Sequence, residues 1–303
     1  LYFGLLMKRL DPAHDITVVE RNRPYDTFGW GVVFSDATMD NMRRWDPETA
    51  EEIQQAFNHW DDIELRFKGR TIRSGGHGFV GIGRKRLLNI LQARCERLGV
   101  RLVFDTEADG DADYPDADLI IASDGINSRI RNLHEDIFKP DIDQRLVKFI
   151  WLGTHQKFDD AFTFIFEETE WGWFWAHVYQ FDNDTATFIV DCMPETWDRA
   201  GFADMSKEEI VATCQRIFAK HLGGHDLMSN ANHLRGSAVW MQFPRVLCER
   251  WYNGNVVLMG DALRTAHFSI GSGTRLAMED AIALAKALGE HASDVPAALA
   301  AYE

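Results

Sequence analysis

The feature that most constrains this 303-residue sequence is an apolar strand that ends in Gly-Asp and leads into a glycine-rich loop. The run Val256–Met259 is uniformly apolar, which is typical of a strand covered on both faces of a parallel sheet. Gly260 and Asp261 follow it directly, and Gly271 and Gly273 precede a predicted helix. In open α/β sheets, ligands bind beyond the carboxyl ends of the strands, so this segment predicts a ligand site.

The chemistry of this loop favours a ligand that combines hydroxyl groups with a flat ring. The carboxylate of Asp261 can accept hydrogen bonds from sugar-like hydroxyls, including those of the ribityl chain of a flavin. Gly271 and Gly273 let the backbone pass close to a ring. Thr274 stands at the start of the helix, whose amino end carries about half a positive charge. That charge stabilises the negative charge of a reduced flavin.

A second apolar strand, Leu119–Ala122, also ends at a polar turn. Asp124 and Gly125 follow it, and Ser128 and Arg131 stand in the turn beyond. Taken alone, this motif is explained equally well as an ordinary strand-to-helix turn.

Two further positions are weaker signals. Arg84 begins a predicted amphipathic helix that runs to Leu98, and its guanidinium can pair with a pyrophosphate there. A solvated arginine is the commoner explanation. Glu20 ends the predicted strand Ile16–Val19, where a carboxylate accepts hydrogen bonds from a ribose in dinucleotide-binding βαβ units. Glu20 and its neighbour Arg21 are therefore candidate cofactor-binding residues.

The amino end has the pattern of a helix without its beginning. Its apolar residues at helical spacing are Leu1, Leu5, Leu6 and Leu10. Helix, turn, buried parallel strand and acidic terminus form the second half of a dinucleotide-binding βαβ unit. Counting back about 20 residues from the acidic terminus reaches the first residue. We therefore expect the first strand and its GxGxxG turn to precede this sequence.

The residues from 148 to 192 differ, because short β-rich segments alternate there with polar turns. The predicted strands are Phe149–Gly153, Phe162–Phe166, Trp173–Tyr179 and Thr185–Asp191. This series indicates an antiparallel sheet.

The remaining segments have simpler patterns. Ile63–Phe67 and Thr71–Arg73 are predicted to form a hairpin, and Ser237–Gln242 a further strand. Asn41–Trp60 is predicted to be helical, whereas the glycine-punctuated run Phe28–Phe34 looks too flexible for a strand interior.

Together these residues resemble the class A flavoprotein monooxygenases, the para-hydroxybenzoate hydroxylase type. Glu20 corresponds to the ribose carboxylate of the family's first motif. The residues that match its DG motif, which touches both FAD and the nicotinamide path, are Asp124, Gly125, Ser128 and Arg131. Those that match its GD motif are Gly260, Asp261, Gly271, Gly273 and Asp280.

Three runs carry a closer resemblance: Gly29–Val33, Lys148–Thr154 and His267–Thr274. They are similar to salicylyl-CoA 5-hydroxylases, to the monooxygenase half of anthraniloyl-CoA monooxygenase/reductases, and to hydroxylases of tryptophan-derived pigments. Arg264 and Arg275 depart from the wider family, which often has His and Asn there.

The resemblance implies an α/β fold: a Rossmann-like FAD-binding domain, its first strand missing, with an inserted antiparallel-sheet substrate domain. Residues 1–60, 79–145 and 246–303 are assigned to the FAD-binding domain. Residues 61–78 and 146–245 are assigned to the substrate domain.

The resemblance also implies the chemistry. FAD is the cofactor, NADH or NADPH reduces it, and dioxygen supplies the hydroxyl group placed on a small aromatic substrate, which is CoA-linked in two of the three closer groups of relatives. The candidate substrate residues are Trp30, Val33, Trp151, His267 and Phe268. The segment from Trp30 to Val33 is expected to line one flavin face. For His267, the candidate catalytic residue, a structural role and a hydrogen bond to a phenol are equally supported.

Three alternatives stay open. One is a hydroxylase of a tryptophan-derived indolic metabolite, and another is a non-catalytic FAD-binding module. The third is a flavin-dependent halogenase, since Trp171–Trp175 is similar to the WxWxIP run of those enzymes. Here, however, Ala176-His177-Val178 follows, and alternating tryptophans of a strand simply share one face.

The composition of the sequence limits which partners the protein can bind. A formal net charge of -15 argues against a nucleic-acid surface, and no apolar run approaches the roughly 20 residues that span a bilayer. The four isolated cysteines indicate free thiols in a reducing compartment, so a cytoplasmic protein without a metal site is expected.

The basic residues that could meet CoA phosphates are Arg66, Lys68, Arg70 and Arg73, although a solvated hairpin is the commoner explanation. Because the sequence ends within a predicted helix, a fused downstream domain is possible.

Overall fold

A computed structural model describes residues 1–303 except Tyr25, Phe28, Asp159, 230–239 and 292–293, and except the side chain of Ile270. In chain order, the helices of the described residues are α1 Tyr2–Leu10, α2 Asp36–Trp45, α3 Pro47–Gln54, α4 Arg84–Arg97, α5 Arg129–Leu133, α6 Glu135–Phe138, α7 Pro194–Arg199, α8 Lys207–Phe218, α9 Gly273–Glu290 and α10 Val295–Tyr302. The strands are β1 Thr17–Val19, β2 Gly31–Ser35, β3 Asn58–Trp60, β4 Asp62–Phe67, β5 Arg70–Ser74, β6 Phe79–Gly83, β7 Arg101–Val103, β8 Ile120–Ala122, β9 Pro140–Thr154, β10 Ala161–Thr169, β11 Gly172–Gln180, β12 Ala186–Cys192, β13 Leu227–Met228, β14 Met241–Cys248, β15 Tyr252–Asn253 and β16 Val256–Leu258.

The largest element is an eight-stranded sheet in the order β13-β9-β12-β11-β10-β4-β5, with β14 also paired to β9. All of its neighbours are antiparallel except β10 and β4, which run parallel. The four antiparallel strands predicted between residues 148 and 192 and the hairpin β4–β5 are thus confirmed. Part of the predicted strand Ser237–Gln242 lies outside the described residues, and its last two residues begin β14.

Successive residues of these strands point to opposite faces of the sheet. One face is apolar and packs beneath α8, where Ile150, Phe174 and Phe188 form a core with Phe218. The other face carries Tyr179, which clusters with Val33 of β2 and with Trp60 of β3. This second face therefore meets the α/β part of the molecule.

The α/β part contains two parallel strand pairs, β1 with β7 and β8 with β16. A three-stranded antiparallel sheet, β2-β6-β3, completes it. Helices α1, α4, α9 and α10 contribute to one large hydrophobic core with these strands. The structure is thus a mixed α/β fold with several sheets, as predicted. The proposed domain boundaries near residues 145 and 245 fall inside the paired strands β9 and β14, and the domain division stays a prediction.

Local signals in the sequence account for several helix ends. Helix α4 begins at Arg84 and is followed by Gly99 in the left-handed region, at φ 80°. Ser206 and Glu209 form a capping box at the start of α8. Leu10 shares helical spacing with the buried Leu5 and Leu6, but it is 47% exposed at the end of α1.

Two predictions of local structure were wrong. Residues 58–60, expected to be helical, form β3, because pairing with β6 buries the Trp60 ring against Tyr179. Gly31–Ser35, expected to be too flexible, is a regular strand paired with β6. Here glycine serves close packing, since a Cβ on Gly31 would lie 2.5 Å from the Cβ of Phe181.

All four cysteines are buried free thiols, as expected. Across the described ranges, no helix combines the length and the apolar character that crossing a membrane requires.

Candidate active site

The two polar turns predicted from the sequence emerge at one edge of a parallel pair. β8 and β16 run in register, with Ala122 opposite Leu258, so the turns that follow them leave the sheet side by side. The buried guanidinium of Arg131 joins the turns, donating from Nη1 to the Ala262 carbonyl at 3.1 Å and from Nη2 to the Ile126 carbonyl at 2.7 Å. Arg131 therefore holds the two loops in a fixed relation.

A buried carboxylate from α9 holds the backbone of the Gly260-Asp261 turn. Asp280 of α9, only 2% exposed, accepts a hydrogen bond from the Gly260 amide at 2.9 Å. It also pairs with Arg264, whose guanidinium lies 4.9 Å from the Trp251 ring centroid. Burial raises the pKa of Asp280, and Arg264 opposes that rise. Arg264, a departure from the wider family, thus neutralises the carboxylate that holds the loop.

Arg84 and Asp261 lie close enough for their charges to interact. Burial lowers the pKa of Arg84, whereas Asp261 raises it. Partial desolvation raises the pKa of Asp261, although its side chain is exposed, and Arg84 opposes that rise. The Arg84 guanidinium carbon is 5.9 Å from the Trp151 ring centroid. The backbone amide of Arg84 donates a hydrogen bond to the Trp30 carbonyl at 2.9 Å. Four candidates from the sequence are thus brought together.

The segment at the start of β2 is pressed onto the second face of the large sheet. The Gly31 amide donates to Oγ1 of Thr187 at 3.0 Å, and its carbonyl accepts from the Tyr179 hydroxyl at 2.8 Å. The Trp30 indole covers Gly153, where an added Cβ would lie 2.6 Å from the ring. This segment is therefore fixed by its contacts on both sides.

The loop before α9 covers the same sheet face further along. The Phe268 ring lies 4.3 Å from the Phe149 ring and 5.9 Å from the His177 ring, both between centroids. Gly271, at φ 61°, approaches Val33 so closely that a Cβ would lie 3.4 Å from the Val33 Cβ. The loop before α9 thus contacts both Val33 and the second face of the large sheet, and the substrate roles of Val33 and Phe268 stay predictions.

His267 is fixed through one ring nitrogen. Nδ1 accepts a hydrogen bond from the Ser269 amide at 3.3 Å and lies 2.8 Å from the Ser269 hydroxyl. In the neutral ring, Nε2 therefore carries the proton. Burial lowers the pKa of His267, and His177 lowers it further. The first nitrogen is structural, and only the second can meet a ligand.

The glycines at this edge fit the approach of a flat ring. A Cβ on Gly273, the first residue of α9, or on Gly125, at φ 85°, would have no atom within 4 Å. Within the described residues, the first turn of α9 has no acidic residue. The backbone at this helix start, including that of Thr274, is therefore open to an anion-bearing group. Within the described chain, the buried Nε1 of Trp30 also has no hydrogen-bond partner. These features fit a flavin.

Two candidates make other contacts, and a third is exposed. Glu20 accepts hydrogen bonds from the Asn22 amide at 2.7 Å and from its side chain at 2.8 Å, while Arg21 is exposed. Asp124 accepts from the Arg129 amide at 2.7 Å and so caps α5. Among the described residues, no hydrogen bond or ion pair joins these three to Asp261, and their cofactor roles stay predictions.

One polar pair in this region was not predicted from the sequence. His177 of β11 and Asp191 of β12 are 2.8 Å apart, Nε2 to Oδ2, and are 7% and 1% exposed. The available signal was one histidine and one aspartate in two strands whose other residues are mostly apolar or aromatic. Their pairing depends on strand register, which the sequence alone did not supply.

The fold and the two joined loops define an FAD-binding oxidoreductase, and comparison with known proteins agrees. Residues 89–303 match the family model described as "FAD binding domain". The chain is 42% identical to salicyloyl-CoA 5-hydroxylase of a Streptomyces species, over 100% of the chain and 59% of that protein. It is 31% identical to protodeoxyviolaceinate monooxygenase of Chromobacterium violaceum, over 100% of the chain and 80% of that protein.

A solved structure shows the same fold. The crystal structure of a mutant form of 2-methyl-3-hydroxypyridine-5-carboxylic acid oxygenase matches with a TM-score of 0.79 at 18% identity, covering 100% of this chain and 82% of the other. The chain belongs to the family of FAD-dependent aromatic monooxygenases. It spans about three-fifths of the length of the salicyloyl-CoA relative.

Proposed function

We propose that this chain is the monooxygenase part of an enzyme that hydroxylates an aromatic ring by means of FAD, NADH or NADPH, and dioxygen. One observation carries the proposal: the turn after β16, the start of α9, Arg84 and the segment at Trp30 converge at one sheet edge. The exposed carboxylate, the open helix start and the aromatic walls suit the three parts of a flavin dinucleotide.

The residues that would hold FAD follow from their chemistry. Asp261 would accept hydrogen bonds from the ribityl hydroxyls, and Arg84 would pair with the pyrophosphate. The amides at Gly273 and Thr274 would face the electron-rich edge of the ring. Glu20 would bind the adenosine ribose, and Gly125 would let the backbone approach. When bound, FAD supplies the transfer of electrons to dioxygen and of one oxygen atom to the substrate.

The rest of the site orients the substrate and excludes water. Trp30, Val33 and Phe268 would cover the reacting region with apolar surface, which protects a water-sensitive reaction. Trp151 would form part of the floor. Nε2 of His267 would be a hydrogen-bond donor at the rim.

We further propose that the substrate is an aromatic acyl group carried on CoA or on a comparable carrier. Two relatives support this. One is the salicyloyl-CoA enzyme, and the other, 34% identical, is a 5-monooxygenase from Streptosporangium sibiricum named for a 3-hydroxy-4-methyl-anthranilyl group on an aryl-carrier protein. Most basic groups of the β4–β5 hairpin are already paired: Arg66 with Glu64 at 2.7 Å, Lys68 with Glu168 at 3.5 Å and Arg73 with Asp160 at 2.9 Å. The hairpin thus adds little support for CoA binding. A cytoplasmic location stays part of the proposal.

The test uses the full-length protein. We expect it to purify with bound FAD and to oxidise NADH or NADPH faster when salicyloyl-CoA or anthraniloyl-CoA is added. Labelled dioxygen should place one oxygen atom on the ring, as read by mass spectrometry. A colourless protein would contradict the proposal. Product formed only with indolic acids would favour the indolic alternative, and a halide-dependent product would favour a halogenase.

A further inference from the structure

Phe243 of β14 lies beside the loop before α9 and has no role in the function proposed so far. Its ring centroid is 5.2 Å from that of His267 and 6.0 Å from that of Phe268, and both contacts are edge-on. Phe268 also packs against Phe149 of β9, at 4.3 Å between centroids. The loop before α9 is thus in contact with a ring from each of two neighbouring strands.

The pairing of β14 with β9 is interrupted at Phe243. The paired residues before and after the interruption are Gln242 with Lys148 and Pro244 with Gln144. In this interval β9 has three residues where β14 has only Phe243. Bulges of this kind are common next to active sites, where they direct a side chain away from the regular ladder.

The side chain of Gln242 holds the bulge together. Its amide nitrogen Nε2 donates to the Arg145 carbonyl at 3.2 Å and to the Leu146 carbonyl at 3.0 Å. Both carbonyls belong to residues within the bulge, where the regular ladder is broken. Because the side-chain amide gives these carbonyls a donor, the bulge is a stable feature of the sheet.

Beyond Phe243, β14 is tied to the segment that leads to His267. The Thr265 amide donates to the Val246 carbonyl at 3.0 Å, and the Val246 amide donates to Oγ1 of Thr265 at 2.9 Å. Oγ1 of Thr265 itself donates to the Pro244 carbonyl at 3.1 Å. The backbone on both sides of Phe243 is therefore fixed, and its ring is held against the loop.

The aromatic rings that meet here keep part of their surface accessible. Phe243, His267 and Phe268 are each half-buried, whereas Phe149 is only 9% exposed. Single half-buried aromatic residues are ordinary, but these three are in mutual contact. Aromatic surface of this kind binds flat apolar ligands through stacked or edge-on contacts. The three rings therefore suit one wall of a site for an aromatic ligand.

We propose that Phe243 is a specificity-determining residue, whose ring bounds the substrate site on the β14 side and limits the aromatic acyl group to a single ring. The inference rests on the proposed function and on the substrate roles predicted for His267 and Phe268. Gln242 is its positioning residue, because it holds the bulge.

A fixed apolar wall selects substrates by size. A larger ring must displace Phe243, and well-packed apolar sites resist such overpacking. Hydrophobic pockets separate substrates that differ by one methylene group by about 10–200-fold. A fused second ring is larger than a methylene group, so Phe243 should reject it at least as strongly.

The other residues in contact with the loop are less suited to this role. Phe149 and Val33 are buried, so they belong to the packing of the sheet and of β2. Phe268 is part of the loop itself. Phe243 combines a half-buried ring with a backbone that lies outside the loop. It can therefore set the size of the site without belonging to the proposed cofactor loop.

The test compares two thioesters that differ by one fused ring. Full-length, FAD-loaded protein is assayed for hydroxylated product with salicyloyl-CoA and with 1-hydroxy-2-naphthoyl-CoA. Phe243→Ala should raise the ratio of kcat/KM for the naphthoyl to the salicyloyl thioester at least tenfold, mainly by lowering KM for the larger ring. Phe243→Trp, which adds volume at the same place, should raise KM for salicyloyl-CoA.

Two further variants separate a wall from a merely structural residue. Gln242→Ala should shift the ratio in the same direction as Phe243→Ala but less, because the ring remains while the bulge loosens. Leu247→Ala is the matched control, because Leu247 lies on the same strand, is 49% exposed and should leave the ratio unchanged. A purely structural role for Phe243 would lower kcat equally for both thioesters and keep the ratio of the wild type. FAD content confirms that each variant is folded.

A binding readout separates this inference from the proposed function. The change in flavin absorbance on addition of each thioester gives its Kd without turnover. If the wild type hydroxylates salicyloyl-CoA and Phe243→Ala keeps the wild-type ratio, or Leu247→Ala shifts it equally, the inference fails while the proposed function stands. If neither ring is hydroxylated but Phe243→Ala changes the ratio of the two Kd values, the proposed hydroxylation fails and the wall stands. A wild type that binds neither thioester overturns the inference together with the proposed carrier-linked substrate.

Discussion

The two faces of the large sheet are built from the same strands yet differ in kind. Beneath α8, Phe174, Val178 and Phe188 present only apolar groups. On the opposite face, alternate positions of the same strands present His177, Tyr179 and the carboxylate of Asp191, all buried. Buried polar groups cost free energy unless they are paired. The buried pair His177–Asp191 lies on the face that meets the proposed cofactor loops. We therefore expect that face to supply chemistry and the face beneath α8 to supply stability.

The largest effect should come from breaking the apolar face. Phe188 is fully buried and packs edge-on against Phe218 at 5.3 Å. Phe188→Ala should lower the free energy of unfolding by about 3–5 kcal/mol, because it removes apolar contacts and leaves a cavity. Urea unfolding measures this, and FAD content per folded molecule should not change. A loss of FAD affinity in the folded fraction would show that the two faces are not separate in function.

Gly31→Ala tests the close packing of the second face. The added Cβ would lie 2.5 Å from the Phe181 Cβ, so the segment must shift. Overpacking of this kind should cost about 1–3 kcal/mol and should weaken FAD binding, measured by fluorescence titration. Gly289→Ala is the control, because there the nearest atom is 3.8 Å away and the helix gains about 0.5–1 kcal/mol. If Gly31→Ala and Gly289→Ala had the same stability and the same affinity for FAD, the close packing of Gly31 against Phe181 would be refuted.

Asp191→Asn should change how stability depends on pH. Burial raises the pKa of Asp191 above its ordinary value of 3.8. The folded protein therefore holds the proton of the Asp191 carboxyl more tightly than the unfolded chain does. The resulting contribution to the free energy of unfolding is fully present below pH 3.8. It is lost as the pH rises through the raised pKa. The difference in unfolding free energy, wild type minus variant, should accordingly decline with rising pH.

Urea unfolding across a pH series checks this slope. Phe188→Ala is the matched control, because it removes no ionisable group and its difference from the wild type should be flat. If the unfolding free energy of the wild type minus that of Asp191→Asn increased with pH, the pKa of Asp191 would be lowered in the folded protein. That result would refute burial as the cause of the shift.

The smallest effect is expected at the edge of the sheet, away from both faces. Lys68 and Glu168 are each 58% exposed and 3.5 Å apart. Lys68→Met should change the free energy of unfolding by less than about 1 kcal/mol, since exposed ion pairs contribute little. The KM of the Lys68→Met variant for an aromatic acyl-CoA should equal that of the wild type. A clear rise in KM would show that the hairpin contacts the carrier.

Prediction from the sequence succeeded where the signal was local. The Gly-Asp turn after a uniformly apolar strand, the start of α4 and the capping box of α8 are read from neighbouring residues, and the structure has them. It was wrong for residues 58–60, because the environment of Trp60 comes from strands distant in sequence. Arg131 matched a motif, but its hydrogen bonds to Ala262 depend on two loops that the fold brings together.

The sequence by itself determined the class of fold and the family, since these depend on short-range pattern and spacing. It also named Arg84, Asp261, Trp30 and Trp151, which the structure brings together. Only the tertiary structure paired His177 with Asp191 and packed the His177 ring against Phe268. The physical reason is strand register. A shift of one residue between β11 and β12 would turn one of these side chains to the apolar face, and only the packing of the whole sheet decides which register is adopted.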